Sequence, residues 1–114
     1  MANSKFPTRY YSSRQEKHIA KELGGKQVIN SGATRFSKGD VSLEDWLIEA
    51  KTCTSEKRSF SIKREWLGKN EEEAFAMGKS YSALAFDFGD GEQHYIISEK
   101  LFKLLVNYLN KEEN

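Results

Sequence analysis

Two short strands and the turn between them decide how this chain folds, and they stand in the stretch GDVSLEDWLIEAK, residues 39–51. Residues 40–42 and 46–52 have the bulk that is typical of strands, and a short turn around residues 43–45 separates them. So short a connection favours an antiparallel pairing of the two strands.

The alternation of side chains along a strand sorts this stretch into two faces. Glu49 and Lys51 point the same way, together with Leu47, because successive residues of a strand face opposite sides. In the antiparallel pairing, the carboxylate of Asp40 falls next to that of Glu49. The opposite face carries side chains that can pack a core: Trp46, Ile48 and Ala50.

The remaining elements follow outward from this pair. We predict a helix over residues 13–23, a strand over 26–29, an extended segment over 59–61, a helix over 63–79, a strand over 82–88, a turn at 89–91, a strand over 93–97 and a final helix that Ser98 caps. One face of the final helix carries apolar side chains, namely Leu101, Leu105, Tyr108 and Leu109. The order α-β-β-β-α-β-β-α indicates an antiparallel meander, followed by a strand that returns beside it. The expected fold is an α/β sandwich, a central mixed sheet with helices on both faces.

Length and composition bound the class of protein. A chain of 114 residues is enough for one domain, which we place at residues 13–114 behind a basic N-terminal arm of residues 1–12. No apolar run approaches the length of a membrane span. The single cysteine, Cys53, excludes an internal disulfide and a zinc finger, and it suits a reducing, cytoplasmic setting.

The distribution of charge is more informative than its sum. Residues 1–39 carry eight Lys or Arg against two acids, whereas the rest of the chain carries ten against fifteen. A basic front third is a plausible footprint for a phosphate backbone, and a solvated arm without a partner is the alternative.

The paired acids suggest a metal site. Two adjacent carboxylates, Asp40 and Glu49, repel each other unless a proton or a cation lies between them, and oxygen ligands select Mg²⁺, with Mn²⁺ as a substitute. The backbone carbonyl of Ala50 is a further candidate ligand. Lys51 could orient a water molecule or stabilise the phosphate in the transition state, as metal-assisted phosphodiester hydrolysis requires. The alternative is that Glu49 and Lys51 are an exposed ion pair on a sheet face, without a metal or a catalytic role.

Glu16 is a second candidate on the predicted first helix. It shares a helical face with Ala20 and Leu23, where a carboxylate needs a reason. One reason is an additional metal contact at the rim of the site. The other is a capping box with Ser13, in which the glutamate bonds the start of the helix.

These motifs resemble those of archaeal-type and phage Holliday junction resolvases, in the PD-(D/E)XK nuclease superfamily. The resemblance rests on a helix carrying Glu16, the Ser31-Gly32 loop, Asp40 at the start of a strand, and Glu49-Ala50-Lys51 on the next strand. It covers roughly residues 13–106. Gly39 replaces the proline of the superfamily's name, and Ala50 replaces a larger apolar residue, but neither departure removes a ligand.

The resemblance implies a fold, an activity and partners. The fold would be the restriction-endonuclease-like three-layer sandwich, and the activity Mg²⁺-dependent cleavage of two strands of a four-way DNA junction by a homodimer. Ser31 would contact the scissile phosphate, although Thr34 and Ser37 are nearby alternatives. Another repair, VRR-type or restriction-like nuclease, and a non-catalytic DNA-binding protein on the same fold, remain alternatives.

Basic residues near these motifs are the candidates for contacts to DNA phosphates. The first choice is a set from the arm, the first helix and the loop that enters Asp40: Arg9, Arg14, Arg35 and Lys38. Lys63 and Arg64 of the middle helix have less support. For each of them taken singly, ordinary solvated charge is the alternative.

Overall fold

Three helices and five strands make up the described part of the chain, which in this computed structural model is residues 8–28 and 40–113. In chain order they are α1 (Thr8–Leu23), β1 (Lys26–Gln27), β2 (Asp40–Ser42), β3 (Trp46–Lys51), α2 (Arg64–Ala76), β4 (Tyr81–Phe86), β5 (His94–Ile96) and α3 (Glu99–Glu113). The predicted order of elements and the α/β class are therefore confirmed.

The strands form one mixed sheet in the order β1-β2-β3-β4-β5. The first three strands are an antiparallel meander, β4 runs parallel to β3, and β5 is antiparallel to β4. Helix α2 connects β3 to β4, because parallel neighbours need a crossover and cannot be joined by a tight turn. Both the meander and the returning strand were predicted from the element order.

Helices α1 and α2 cover opposite faces of the sheet. Ile19 of α1 is fully buried in a cluster with one face of the strands, whose members are Val41, Ile48, Ala50, Ala83 and Ala85. On the other face, the Nδ2 atom of Asn70 in α2 donates a hydrogen bond of 2.9 Å to the carbonyl of Ala83. That second face is the one to which Asp40 and Glu49 point.

Helix α1 begins earlier than predicted. Thr8 is already helical, so residues 8–12 of the predicted arm belong to the helix, and residues 1–7 lie outside the described residues. The physical reason is that no proline or glycine stands between Thr8 and Leu23 to stop the helix. Ser13 is therefore an interior residue, and the predicted capping box with Glu16 is wrong.

Helix α3 has the predicted cap, and its apolar face is largely exposed. The N–H of Leu101 donates to Oγ of Ser98 at 3.1 Å, which confirms Ser98 as the capping residue. Of the face expected to be apolar, Leu101 is buried, but Tyr108 and Leu109 are 60% and 58% exposed. Helical periodicity identifies such a face without specifying what covers it.

The other bounds differ by a few residues from the predictions. The middle helix is shorter at both ends than residues 63–79, and residues 59–61 form no strand. None of the described helices combines the length and the apolar character that crossing a bilayer requires.

Candidate active site

The pairing of β2 with β3 brings two acids together. Asp40 lies directly opposite Glu49 in the register, and Lys51 follows two residues later on the same face. The predicted convergence of these three side chains on one face is therefore confirmed. Asp40 is 2% exposed and the Glu49 side chain 12%, so both acids lie largely out of water.

The ammonium group of Lys51 is held from two sides. Its Nζ atom is 3.0 Å from Oε2 of Glu49 and 4.3 Å from the centroid of the Trp66 ring. An ammonium over the face of an indole is attracted by the ring's negative π surface. The contacts position Lys51 next to the acids while leaving 29% of its side chain exposed.

Glu73 of α2 is a site residue that the sequence reasoning missed. It is only 7% exposed, and its carboxyl group hydrogen-bonds that of Asp40. A signal for it exists in the sequence, because Trp66, Asn70 and Glu73 recur at helical spacing and so share one face. Because Glu71 and Glu72 precede it, however, Glu73 cannot be distinguished in the sequence from ordinary exposed charge.

Burial and crowding of the acids raise the pKa of Asp40 from 3.8 to about 8. Desolvation is the largest cause, followed by the charges of Glu73 and Glu49 and by the hydrogen bond with Glu73. Burial also raises the pKa of Glu73, while the hydrogen bond from Asp40 and the charge of Lys69 act against it. At neutral pH it is therefore energetically unfavourable for the site to hold all its negative charges without a cation.

The donor set fits a hard divalent cation. Oδ2 of Asp40 is buried and receives no hydrogen bond from any donor in the described residues, and the carboxylates of Glu49 and Glu73 stand beside it. Oxygen donors of this kind suit Mg²⁺ or Mn²⁺. Within residues 8–28 and 40–113, no three His, Cys, Asp or Glu side chains are already arranged around a single metal position. The carboxylate of Glu49 is instead paired with Lys51.

Glu16 is buried on α1, where its carboxylate contacts a side chain of β1. It is 1% exposed, and its Oε1 accepts a hydrogen bond of 3.0 Å from Nε2 of Gln27. Its charge contributes to the raised pKa of Asp40, as the smallest of the causes. Metal binding by Glu16, and by the carbonyl of the buried Ala50, stays a prediction.

The predicted DNA contacts fall partly outside the described residues. Ser31, Arg35 and Lys38 lie there, and Arg9 is described only as a helical backbone position. Arg14 is exposed on α1, with its guanidinium 5.7 Å from the centroid of the Tyr10 ring. It also lines a polar pocket of about 320 Å³ beside Thr52, just after Lys51.

Comparison of the chain with models of protein families, with characterised proteins and with solved structures finds no match.

Proposed function

We propose that this protein is a metal-dependent endodeoxyribonuclease that resolves four-way (Holliday) DNA junctions. The observation that carries the proposal is the β2–β3 register, which sets Asp40 opposite Glu49 with Lys51 on the same face. Two acids and an amine on adjacent strands are the parts that metal-assisted phosphodiester hydrolysis needs.

The architecture is consistent with the restriction-endonuclease-like fold that the sequence resemblance implies. A mixed sheet with a helix on each face and the acids on its second and third strands agrees with a three-layer sandwich of that kind. We propose this finer fold assignment together with the function, because the α/β class by itself hosts many activities.

The chain's own residues have distinct parts in the proposed reaction. Asp40 and Glu49 would hold the cation, with Glu73 beside them. A bound Mg²⁺ would supply Lewis-acid polarisation of the scissile phosphate and promote ionisation of the attacking water. The ammonium of Lys51 would stabilise the negative charge that develops on the phosphate oxygens. Its contacts with Glu49 and Trp66 keep that charge in place before substrate arrives.

Paired cleavage of a junction requires two sites, so we propose a homodimer. A symmetric dimer presents the same catalytic face twice, and each copy then cuts one of two opposed strands. Sedimentation equilibrium of the purified protein, with and without a junction, measures this directly, and a strictly monomeric species in both conditions would contradict it.

Cleavage of a synthetic four-way junction, with and without Mg²⁺, tests the function. We expect paired nicks only with the metal, and loss of cleavage with retained junction binding in Asp40→Asn, Glu49→Gln and Lys51→Ala. Glu44→Gln, an exposed acid at the β2–β3 turn, is the control and should cleave like the wild type. Near wild-type cleavage by all three site variants would remove the assignment.

The same assay separates the alternatives. Cleavage of a flap or a linear duplex in preference to the junction would indicate another PD-(D/E)XK nuclease, of the repair, VRR-type or restriction-like kind. Junction binding without cleavage, and without binding of Mn²⁺, would indicate a non-catalytic DNA-binding protein.

A further inference from the structure

A second basic surface lies beside the candidate site, between β3 and α2. Residues 57–64 read KRSFSIKR and hold four basic residues and no acid, while Glu56 and Glu65 flank them. All four basic side chains are exposed, namely Lys57, Arg58, Lys63 and Arg64. None of the four forms an ion pair within residues 8–28 and 40–113. We call residues 57–64 the basic segment.

The basic segment is anchored to the sheet and does not hang free. The N–H of Lys57 donates a hydrogen bond of 2.7 Å to the carbonyl of Phe88, just beyond β4. The ring of Phe60 packs inward, 5.0 Å from that of Phe86 and 6.5 Å from that of Trp66. The aromatic residue of the basic segment therefore packs against the protein, and the charged side chains of the segment face solvent.

The ring of Trp66 connects this segment to the catalytic lysine. The Nζ atom of Lys63 is 5.8 Å from the centroid of that ring, and the Nζ atom of Lys51 is 4.3 Å from the same centroid. One indole thus lies next to an ammonium of the site and to an ammonium of the basic segment. Lys51, Lys63 and Arg64 therefore place positive charge from the candidate site to the start of α2.

We propose that the basic segment binds the phosphates of the DNA strand that flank the one to be cut. A DNA strand carries one phosphate for about every 3.4 Å of helix axis, so phosphates neighbouring one at Lys51 come within the reach of Lys63. The exposed residues of the segment offer charge and hydroxyl groups, with no apolar side chain for a membrane. Such contacts hold the backbone without reading the sequence, as recognition of a branched shape requires. That the bound strand is the one to be cut rests on the proposed function, whereas the binding of DNA by the basic segment does not.

Salt dependence of DNA binding tests the proposal without any cleavage. Binding of a four-way junction and of a linear duplex is measured in EDTA over a series of salt concentrations. We compare the wild type with Lys57→Gln/Arg58→Gln and with Lys63→Gln/Arg64→Gln. The matched control, Lys100→Gln/Lys111→Gln, removes two exposed charges from α3.

We expect weaker binding in both basic-segment variants. The slope of log affinity against log salt should become shallower by about 1 for each phosphate that the variant no longer neutralises, and the α3 control should keep the wild-type slope. Wild-type slopes in both basic-segment variants, an equally weakened α3 control, or no DNA binding by the wild type would overturn the proposal. If the segment proves necessary for binding but no Mg²⁺-dependent cleavage is found, this surface stands and the nuclease assignment fails.

Discussion

Asp40 is buried next to other carboxyl groups, an unfavourable place for a negative charge. Its pKa is raised from 3.8 to about 8, so between these values the folded protein keeps a proton that the unfolded chain has lost. Stability therefore decreases as pH rises through this window. Asparagine is neutral and of similar shape, so Asp40→Asn should melt at a higher temperature than the wild type at about pH 8 without divalent cations, and the two should converge at about pH 4.

Thermal denaturation followed by circular dichroism across that pH range measures the difference. Glu99→Gln is the control, because Glu99 is exposed on α3 and, among the residues that the structure describes, forms an ion pair with Lys103 alone. It should follow the wild-type curve at each pH. A melting temperature for Asp40→Asn that tracks the wild type throughout would show that Asp40 is not an unfavourable charge in the fold.

In the proposed nuclease, Trp66 would act through its contact with Lys51 and would therefore be a positioning residue. A cation–π contact is worth about 1 kcal/mol at exposed sites and about 2 kcal/mol when desolvated, and the Lys51 side chain is 29% exposed, so Trp66→Leu should reduce cleavage by about tenfold in the proposed nuclease, whereas Trp66→Phe, which keeps a ring face, should retain more activity. An NMR measurement separates positioning from general loss of structure. The Cε protons of Lys51 should be shifted upfield by the ring in the wild type and return to ordinary values in Trp66→Leu. Unshifted protons in the wild type would contradict the contact.

The residues that the sequence could identify are those whose positions follow from local geometry. Asp40, Glu49 and Lys51 are placed by strand alternation and one short turn, and the sequence contains both. Glu73 and Trp66 are placed by how α2 lies across the sheet, which depends on packing between elements distant in sequence. Their helical spacing marks a shared face but does not indicate that the face meets a carboxylate.

At the scale of elements, Gly89 holds the segment before α2 against the β4–β5 turn. Its φ is 89°, and an added Cβ would collide with the Ser55 carbonyl and lie 2.7 Å from the Cα of Glu56. Gly89→Ala should therefore destabilise the fold by more than the roughly 1–2 kcal/mol of left-handed strain alone, and it should loosen the basic segment that follows. Chemical denaturation gives the free energy of unfolding.

Gly91 provides a matched control for this prediction. Its φ is 84°, but an added Cβ would meet no atom of residues 8–28 and 40–113 within 4 Å, so Gly91→Ala carries the conformational strain without the collision. The difference between the two variants isolates the contact with Ser55 and Glu56. Equal destabilisation by both substitutions would mean that this contact does not hold the segment in place.

The elements also show where sequence patterns fail. A capping box fits Ser13 and Glu16, yet α1 continues back to Thr8, because a cap motif favours a start without forbidding helix before it. In the last helix, by contrast, Ser98 caps the start of α3 as predicted. The outcome differs because Ser98 closely follows strand β5, whereas no proline or glycine stands between Thr8 and Ser13 to end a helix there.

At the scale of the whole molecule, the sheet order could be predicted because few topologies are possible. Strands that are consecutive in the chain tend to pair with each other, here as a meander, and a strand that follows a helix of about a dozen residues returns in parallel. The arrangement places the acids on three elements, with Asp40 on β2, Glu49 on β3 and Glu73 on α2. A ligand that contacts all three opposes the separation of the strands from the helix.

Metal binding should therefore stabilise the entire fold. A cation that binds only the folded state adds about 2.7 kcal/mol to the free energy of unfolding at a concentration one hundred times its dissociation constant. We expect Mn²⁺ to raise the melting temperature of the wild type in a saturable way, and more so at about pH 8 than at about pH 5, because protons compete for Asp40.

Variants of the acids test whether the stabilisation by Mn²⁺ comes from binding at this site. Asp40→Asn should abolish the stabilisation by Mn²⁺, Glu73→Gln should weaken it if Glu73 shares the cation, and Glu44→Gln at the exposed turn should leave it unchanged. Calorimetric titration with Mn²⁺ gives the affinities independently of unfolding. The same Mn²⁺-induced shift in the wild type and in Asp40→Asn would place the cation elsewhere on the molecule, because a neutral amide in place of a ligating carboxylate should weaken the binding of Mn²⁺.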